Sequence, residues 1–290
     1  MRQHVRTVLT VVAVLTAPAL GLADRPPDIT ERLRATEHHR LEGEAKRALW
    51  RATAQSNSVV EKNWAPDLGP SPVDVLRYEL DLQLDPTLES LSGTVAVDLA
   101  ATVDDLATVE LDADRDMSIL GVVLVRDESF PHDGGRLLAF THAEDRLRVQ
   151  LHRRLSAGEE VRLLIAYGGH GRRNGAGVNW AQRPDGTPLV TTFSQPLGAR
   201  IWWPCSDRPD DKAIVSLEVT APSGLVAASN GLEVARVDNG DGTATTSFAS
   251  RYPISTYLVV LNLTNYVRSA TEYRSLDGAT RWRPIKARTA

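Results

Sequence analysis

The sequence predicts a mainly β protein, an all-β sandwich or a related open-sheet assembly, preceded by a signal peptide and one short helix. Three observations predict it. From residue 73 apolar residues recur with a period of two: Leu76, Tyr78, Leu80, Leu82 and Leu84 alternate with Arg77, Glu79, Asp81, Gln83 and Asp85, as in a strand with one buried face. Short apolar runs then follow one another to residue 263, separated by Gly, Asp and Pro, the spacing of strands and turns. Little of the chain after residue 70 has a helical period, and about 200 residues of this kind suffice for a substantial core.

The elements can be justified in order. Arg2 and Arg6 precede the apolar stretch TVLTVVAVLTAPALGLA, and Gly21 and Ala23 stand ahead of Asp24. A positive start, a short apolar run and small residues at its end predict a secretory signal over 1–23, hence a secreted or periplasmic protein with no membrane span after cleavage. Residues 24–72 read as a helical segment and a linker. Thr30 caps a helix over 30–55 with Leu33, Leu41, Ala45, Leu49 and Ala52 on one stripe, and residues 56–72 carry three prolines. His38 and Glu42 lie one helical turn apart, but the local order Glu-His-His-Arg lacks the H-E-x-x-H pattern, so a solvated face is expected there.

The β region covers 73–270. Strands are expected at 73–86, 92–100, 106–112, 118–126, 136–140, 146–152 and 160–167. Beyond a central loop, more are expected at 214–220, 225–237, 244–250 and 256–263. Asp238-Asn239-Gly240-Asp241-Gly242 reads as a hairpin turn. It is not an EF-hand loop, because Ala249 stands where the twelfth ligand should be. The Gly- and Arg-rich run Gly168–Gly177 lacks the P-loop pattern and a following helix, so it is expected to be a mobile loop rather than an anion cradle. His132, His142 and His152 are too far apart in sequence for a helical zinc site. Asn262-Leu263-Thr264 matches a glycosylation sequon inside an expected strand. Residues 271–290, with Arg281, Arg283, Lys286 and Arg288, are expected to form an unstructured end.

Composition is that of an ordinary globular protein: 290 residues, 42% hydrophobic, 24% charged, formal charge −4. This balance points away from nucleic acid. The single cysteine, Cys205, precludes an internal disulfide and is expected to be a buried packing thiol beside two tryptophans.

The densest run of unusual residues is 193–213, FSQPLGARIWWPCSDRPDDKA. Trp202 and Trp203 are bulk rarely left in solvent. Pro204 and Pro209 interrupt helix and central strand, so an ordered loop between strands is expected, with Asp207, Asp210 and Lys212 pinning it through ion pairs and turn hydrogen bonds.

Trp203, Pro204, Cys205, Asp207, Pro209, Lys212 and Ala213 resemble the aromatic-Pro-Cys-x-Asp-x-Pro-x-x-Lys-Ala motif in the amino-terminal domain of the aminopeptidase N family of zinc peptidases. Pro253-Ile254-Ser255-Thr256-Tyr257-Leu258 is similar to a strand-forming motif near the end of that domain, and SPVDVLRYELDLQLDP at 71–86 to its first strand. The resemblance covers about residues 70–270. It implies a saddle-like open-sheet domain that flanks the substrate in an enzyme removing amino-terminal residues from peptides. It further implies a zinc held in a catalytic domain by two His one helical turn apart and a distant Glu. The sequence contains neither H-E-x-x-H nor G-x-M-E-N, and Met1 and Met117 are its only methionines. The chain alone is therefore expected to hold no zinc and to be inactive. A truncation or gene-model break near residue 280 is expected, with a missing or separate catalytic domain as partner.

The resemblance also implies one substrate contact. The family's amino-terminal domain lends a Glu or Gln, just upstream of the aromatic motif, to the peptide's free amine. Gln195 matches that position by its distance to Ala199-Arg200, while a shifted alignment places Leu197 there. A carboxamide oxygen accepts from an ammonium without supplying a full charge. The bland alternative is a structural amide bonded to the loop backbone. For the whole chain, the competing reading is a non-enzymatic exported β module that binds peptides or a partner through an exposed aromatic loop.

Overall fold

A computed structural model describes residues 68–126, 135–270, 273–274, 281–282 and 285–289, those beyond Val267 by backbone alone. The signal sequence, the helix at 30–55 with His38 and Glu42, and His132 lie outside the described residues.

The first strand, β1 (Val73–Asp85), carries the alternation that the sequence shows, with one slip. A register shift between Val75 and Arg77 against the next strand, β2 (Ser90–Ala101), inserts a bulge. Val73, Val75, Tyr78, Leu80, Leu82 and Leu84 are buried, and Leu76 is left half-buried at the bulge. On the other face Arg77, Asp98 and Arg162 stand in register across three strands, and Arg162 also pairs with Glu79.

Next come β3 (Leu106–Asp112), β4 (Ser118–Arg126), β5 (Arg136–Leu137), β6 (Phe140–Ala143), β7 (Arg146–Leu155) and β8 (Glu160–Gly169). The expected strand at 136–140 is thus two short ones. The run Gly168–Gly177, expected to be a mobile loop, is built into the sheets. Gly168 and Gly169 finish β8, β9 is Arg172–Arg173, and β10 (Ala176–Gln182) follows at once and pairs with β11 (Pro188–Phe193). Neither β10 nor β11 was expected, because Gly, Asn, Gln and Pro break up their apolar pattern. Their inward residues, Val178, Trp180 and Val190, are nonetheless buried.

After the 193–213 loop come β12 (Lys212–Pro222), β13 (Val226–Ser229), β14 (Leu232–Asp238), β15 (Thr243–Ala249), β16 (Ile254–Ser255) and β17 (Leu261–Thr264). The single strand expected at 225–237 is two, and they belong to different sheets. The Pro253–Leu258 motif contributes only the two residues of β16 and a 3₁₀ turn at Thr256–Leu258. The chain then enters β18 (Tyr266–Ala270), β19 (Tyr273–Arg274), β20 (Arg281–Trp282) and β21 (Ile285–Thr289). There β18 pairs with β21 and β19 with β20, where an unstructured end was expected.

The largest sheet has nine strands, ordered β14-β15-β12-β1-β2-β8-β4-β5, with β16 attached to β12. A five-stranded sheet (β13-β17-β11-β10-β9) and a three-stranded sheet (β3-β7-β6) accompany it. Inward residues of all three meet in one core: Tyr78, Leu80 and Leu217 from the large sheet, Val178 and Leu263 from the second, Val109, Leu111 and Leu147 from the third. Open sheets sharing a core answer the expected architecture. The β1–β12 ladder is parallel, Arg77 facing Ile214 and Gln83 facing Thr220. A parallel pair needs a long crossover, and here the crossover contains the strands of the three-stranded sheet and most of the five-stranded one. No helix among the described residues is long and apolar enough to cross a membrane.

Candidate functional site

The segment from Phe193 to Lys212 joins β11 of the five-stranded sheet to β12 of the nine-stranded one. It begins with a turn over residues 195–198, closed where the Gly198 amide donates to the Ser194 carbonyl at 2.8 Å, and continues into a 3₁₀ turn, Ala199–Ile201.

Both tryptophans point inward and have no solvent exposure. Trp203 meets Tyr78 of β1 edge to face, ring centroids 4.7 Å apart, and Trp202 meets Trp203 at 5.9 Å. The Trp202 indole N–H donates to the Ser194 hydroxyl oxygen at 3.0 Å. Both indoles are buried as their bulk predicts, because taking them out of water is favourable, so neither offers the exposed aromatic contact of the competing reading.

Arg200 and Asp207 of the loop are held in a largely buried ionic cluster. Asp112, at the end of β3, exchanges both backbone hydrogen bonds with Cys205, and its side chain accepts the Asp207 amide at 2.8 Å. Arg200 donates to Asp112 at 2.8 Å and to Asp207 at 2.9 Å, and Arg146 of β7 also pairs with Asp112. Thr256 donates its hydroxyl proton toward Asp207 Oδ1 at 3.3 Å, and Ser255 donates to the Pro209 carbonyl at 2.7 Å. The Ser206 amide donates to the Tyr78 hydroxyl at 2.8 Å. The three stretches that carry the family resemblance therefore meet at one place: Tyr78 from 71–86, Trp203 to Pro209 from 193–213, and Ser255-Thr256 from 253–258.

Burial raises the Asp207 carboxyl above its ordinary range, against the pull of the Arg200 guanidinium. Burial works against the charge on Arg200, but Asp112 and Asp207 outweigh it and hold the guanidinium firmly protonated. Burial, then Asp207 and Asp112, pushes the Cys205 thiol up. Cys205 is thus buried and free, as expected, and is kept in its unreactive form. Asp210 pairs with Arg208, whose guanidinium also donates to the Leu68 and Gly69 carbonyls. Lys212 starts β12 opposite Ser255. Asp211, not singled out from sequence, accepts the Val75 amide at 3.3 Å where β1 bulges.

Gln195 is placed apart from this cluster. It is exposed in the turn, joined to Pro196 by a cis peptide, and its carboxamide takes part in no hydrogen bond among the described residues. Leu197, its alternative, is half-buried.

A second ionic group was missed from sequence altogether. Arg173 of β9 donates to Asp114 and Asp145, both at 2.9 Å, and Arg115 adds two bonds to Asp145. It fastens the five-stranded sheet to the turn between β6 and β7. Asp112-x-Asp114 at the end of a strand was the available signal, but its cationic partners lie tens of residues away. A cleft of ≈ 230 Å³ opens beside the Gly-rich run. Asp114 and Asp116 line it together with Arg172 and His170, so its wall carries charges of both signs.

Among the described residues no three His, Cys, Asp or Glu side chains stand together where they could hold a metal ion, so a catalytic zinc fits no cluster there. His142 contacts the Ala113 carbonyl instead. The Asp238–Gly242 turn spends its carboxylates on its own amides, Asp238 on Gly240 and Asp241 on Thr243. In the sequon, Asn262 is half-buried inside β17 and Thr264 fully buried.

Comparison with known proteins agrees with this geometry. The Peptidase M1 N-terminal domain family matches residues 75–258. A protein described as aminopeptidase N from Haemonchus contortus is 35% identical over 105 residues, which cover 34% of this chain and 10% of that protein. An M1 zinc metallopeptidase from Deinococcus radiodurans superposes with a TM-score of 0.65 at 26% identity, over 77% of this chain and 49% of that one. A mutant of the same peptidase, bound to a Tyr-Ser-Ala substrate, gives 0.63 at 26% identity with the same coverage. This chain thus spans about half the length of those solved relatives and a tenth of the curated one. With more than half of its residues matched, the chain belongs to the peptidase M1 family, of which it carries the N-terminal domain.

Proposed function

We propose that this domain is the substrate-flanking half of a zinc aminopeptidase, and that Gln195 accepts a hydrogen bond from the free amino terminus of a bound peptide. The single observation that carries the reading is the state of Gln195: an exposed carboxamide without a hydrogen-bond partner among the described residues, on a turn whose base is buried. A structural amide would be spent on the loop backbone. An amide that receives a ligand is left free on a rigid support. The D. radiodurans relative, a mutant of which is bound to a Tyr-Ser-Ala substrate, lends support as a similar protein that takes a short peptide.

In this reading the zinc and its general base belong to a second, catalytic body. Zinc would there supply a water acidic enough to attack a peptide carbonyl near neutral pH. The residues of this chain do other work: the Gln195 carboxamide oxygen accepts from the ammonium and fixes which end of the peptide is presented, and the Arg200 cluster holds the loop beneath it. Localisation outside the cytoplasm follows from the reading of residues 1–23.

Two experiments test this. The purified chain, free of host peptidases, should release no amino acids from peptide amides. In a protein joining this domain to an M1 catalytic half, Gln195→Ala should raise KM for peptides with a free amino terminus about tenfold, the loss of one hydrogen bond to a charged group, with kcat little changed. Unchanged kinetics would remove Gln195 from the site, and amino-acid release by the chain alone would overturn the division of labour.

A further inference from the structure

We infer that Trp202 is a positioning residue for Gln195, acting through Ser194. The inference rests on the reading of Gln195 given above and adds the device that aims it.

The turn carrying Gln195 touches the rest of the protein through a short series of defined contacts. Its base is the Ser194 carbonyl, which accepts the Gly198 amide at 2.8 Å. A side chain at Gly198 would come within 3.1–3.3 Å of the Ser194 backbone, so the closure is tight. The Ser194 hydroxyl accepts the Trp202 indole N–H at 3.0 Å, and both residues are buried, Ser194 at 4% exposure and Trp202 at 0%. Trp202 packs on Trp203, and Trp203 stands edge to face on Tyr78 in the middle of the nine-stranded sheet. A rigid path therefore leads from the sheet through three aromatic rings to the residue immediately before Gln195.

Packing alone does not account for this bond. An indole ring fills a core by its area, and a phenyl ring would fill much of the same space. The indole N–H is a directional group that usually finds an acceptor when buried; the neighbouring Trp203 N–H is buried without one, whereas that of Trp202 is satisfied. Here the acceptor is the hydroxyl of Ser194, on the chain segment that carries Gln195. The contact fixes the angle at which the turn leaves the protein, and with it the placement of the carboxamide. A group held loosely loses the advantage of preorganisation even when it stays in reach of its ligand.

Two variants separate orientation from packing. Trp202→Phe removes the N–H and keeps an aromatic ring. Ser194→Ala removes the acceptor and leaves both indoles in place, and so serves if the first variant folds poorly. The first measurement is ¹⁵N relaxation on the chain itself. The backbone order parameters of residues 194–198 should fall from about 0.85 to below about 0.6 in either variant, with the rest of the β core unchanged. Order parameters that stay at the wild-type level in a folded variant would overturn the inference.

The second measurement is kinetic, in the protein joined to an M1 catalytic half. Each variant should raise KM about fivefold, as expected for one neutral hydrogen bond, with kcat unchanged. Neither should raise KM further in a Gln195→Ala background. A KM increase that persists in that background would show a general structural role and overturn the inference. If Gln195→Ala by itself leaves KM unaltered while the turn loosens in the relaxation experiment, the substrate role of Gln195 fails and the positioning of the turn by Trp202 stands.

Discussion

Asp112 and Cys205 exchange both of their backbone hydrogen bonds, the Asp112 amide to the Cys205 carbonyl at 2.7 Å and the return bond at 3.0 Å. This isolated bridge stitches the end of β3 to the middle of the 193–213 loop. It brings the Asp112 carboxylate against Arg200 and the Asp207 amide, so backbone pairing and ionic pairing act on the same two segments.

The first prediction concerns that cluster. Arg200→Ala leaves Asp112 and Asp207 buried without their shared cation, and should destabilise the domain by about 3–5 kcal/mol, the cost of breaking a buried ion pair from one side. Arg200→Lys should recover only part of this, because an ammonium cannot reach two carboxylates with the fork of a guanidinium. Urea unfolding with an unchanged slope would measure both.

Cys205 offers a chemical readout of the same region. The thiol is buried and its pKa is pushed up by burial and by Asp207 and Asp112, so little thiolate exists and little of it is reachable. Labelling by a thiol reagent at pH 8 should be slow in the folded domain and complete on addition of denaturant. Fast labelling without unfolding would contradict the placement of the loop.

The Arg173–Asp145 contact predicts an acid dependence. Hydrogen bonds from Arg115 and charge from Arg173 hold the Asp145 carboxyl well below the usual range. A carboxyl depressed in the folded state stabilises the fold above the unfolded pKa of about 3.9, and that contribution is lost as pH falls from there through the folded value. Asp207 acts with the opposite sign: its raised carboxyl favours the fold at low pH, and that term fades as pH rises from about 3.9 through the folded value. Thermal melts below pH 4 should therefore show Asp145→Asn losing less stability on acidification than the unaltered protein. Parallel pH curves would remove Asp145 from the account.

The Gly-rich run predicts a contrast between two neighbours. Gly175 and Gly177 both have left-handed backbones, φ +82° and +80°. A side chain at Gly175 would meet nothing within 4 Å, whereas at Gly177 its Cβ would lie 2.2 Å from the Gly171 carbonyl oxygen. Gly175→Ala should cost about 1–2 kcal/mol from backbone strain alone. Gly177→Ala should cost about 1–3 kcal/mol more from the clash. Equal losses would mean that β9 and β10 do not close on each other as described.

Local pattern was legible where strands have one wet face. The alternation from Leu76 to Leu84 announced β1, although its bulge placed Val75 rather than Leu76 in the core. Central or irregular strands were harder: β10 and β11 bury Val178, Trp180 and Val190 with too few apolar positions to register as a period. The strand expected at 225–237 changes sheet at its middle, a choice that depends on partners far away in the chain.

By itself the sequence determined the mainly β class, the buried thiol and the importance of the 193–213 loop, because side-chain period, a lone cysteine and paired tryptophans are local facts with local physical consequences. Only the tertiary structure decided that β1 lies parallel to β12, that Tyr78 meets Trp203 and Thr256 meets Asp207, and that Arg200, Arg146 and Arg173 neutralise particular aspartates. Those contacts join residues from 7 to more than 100 positions apart, and no local preference selects among the many cations and anions that could have paired. The same long-range packing turned both indoles inward and left Gln195 exposed on the turn above them.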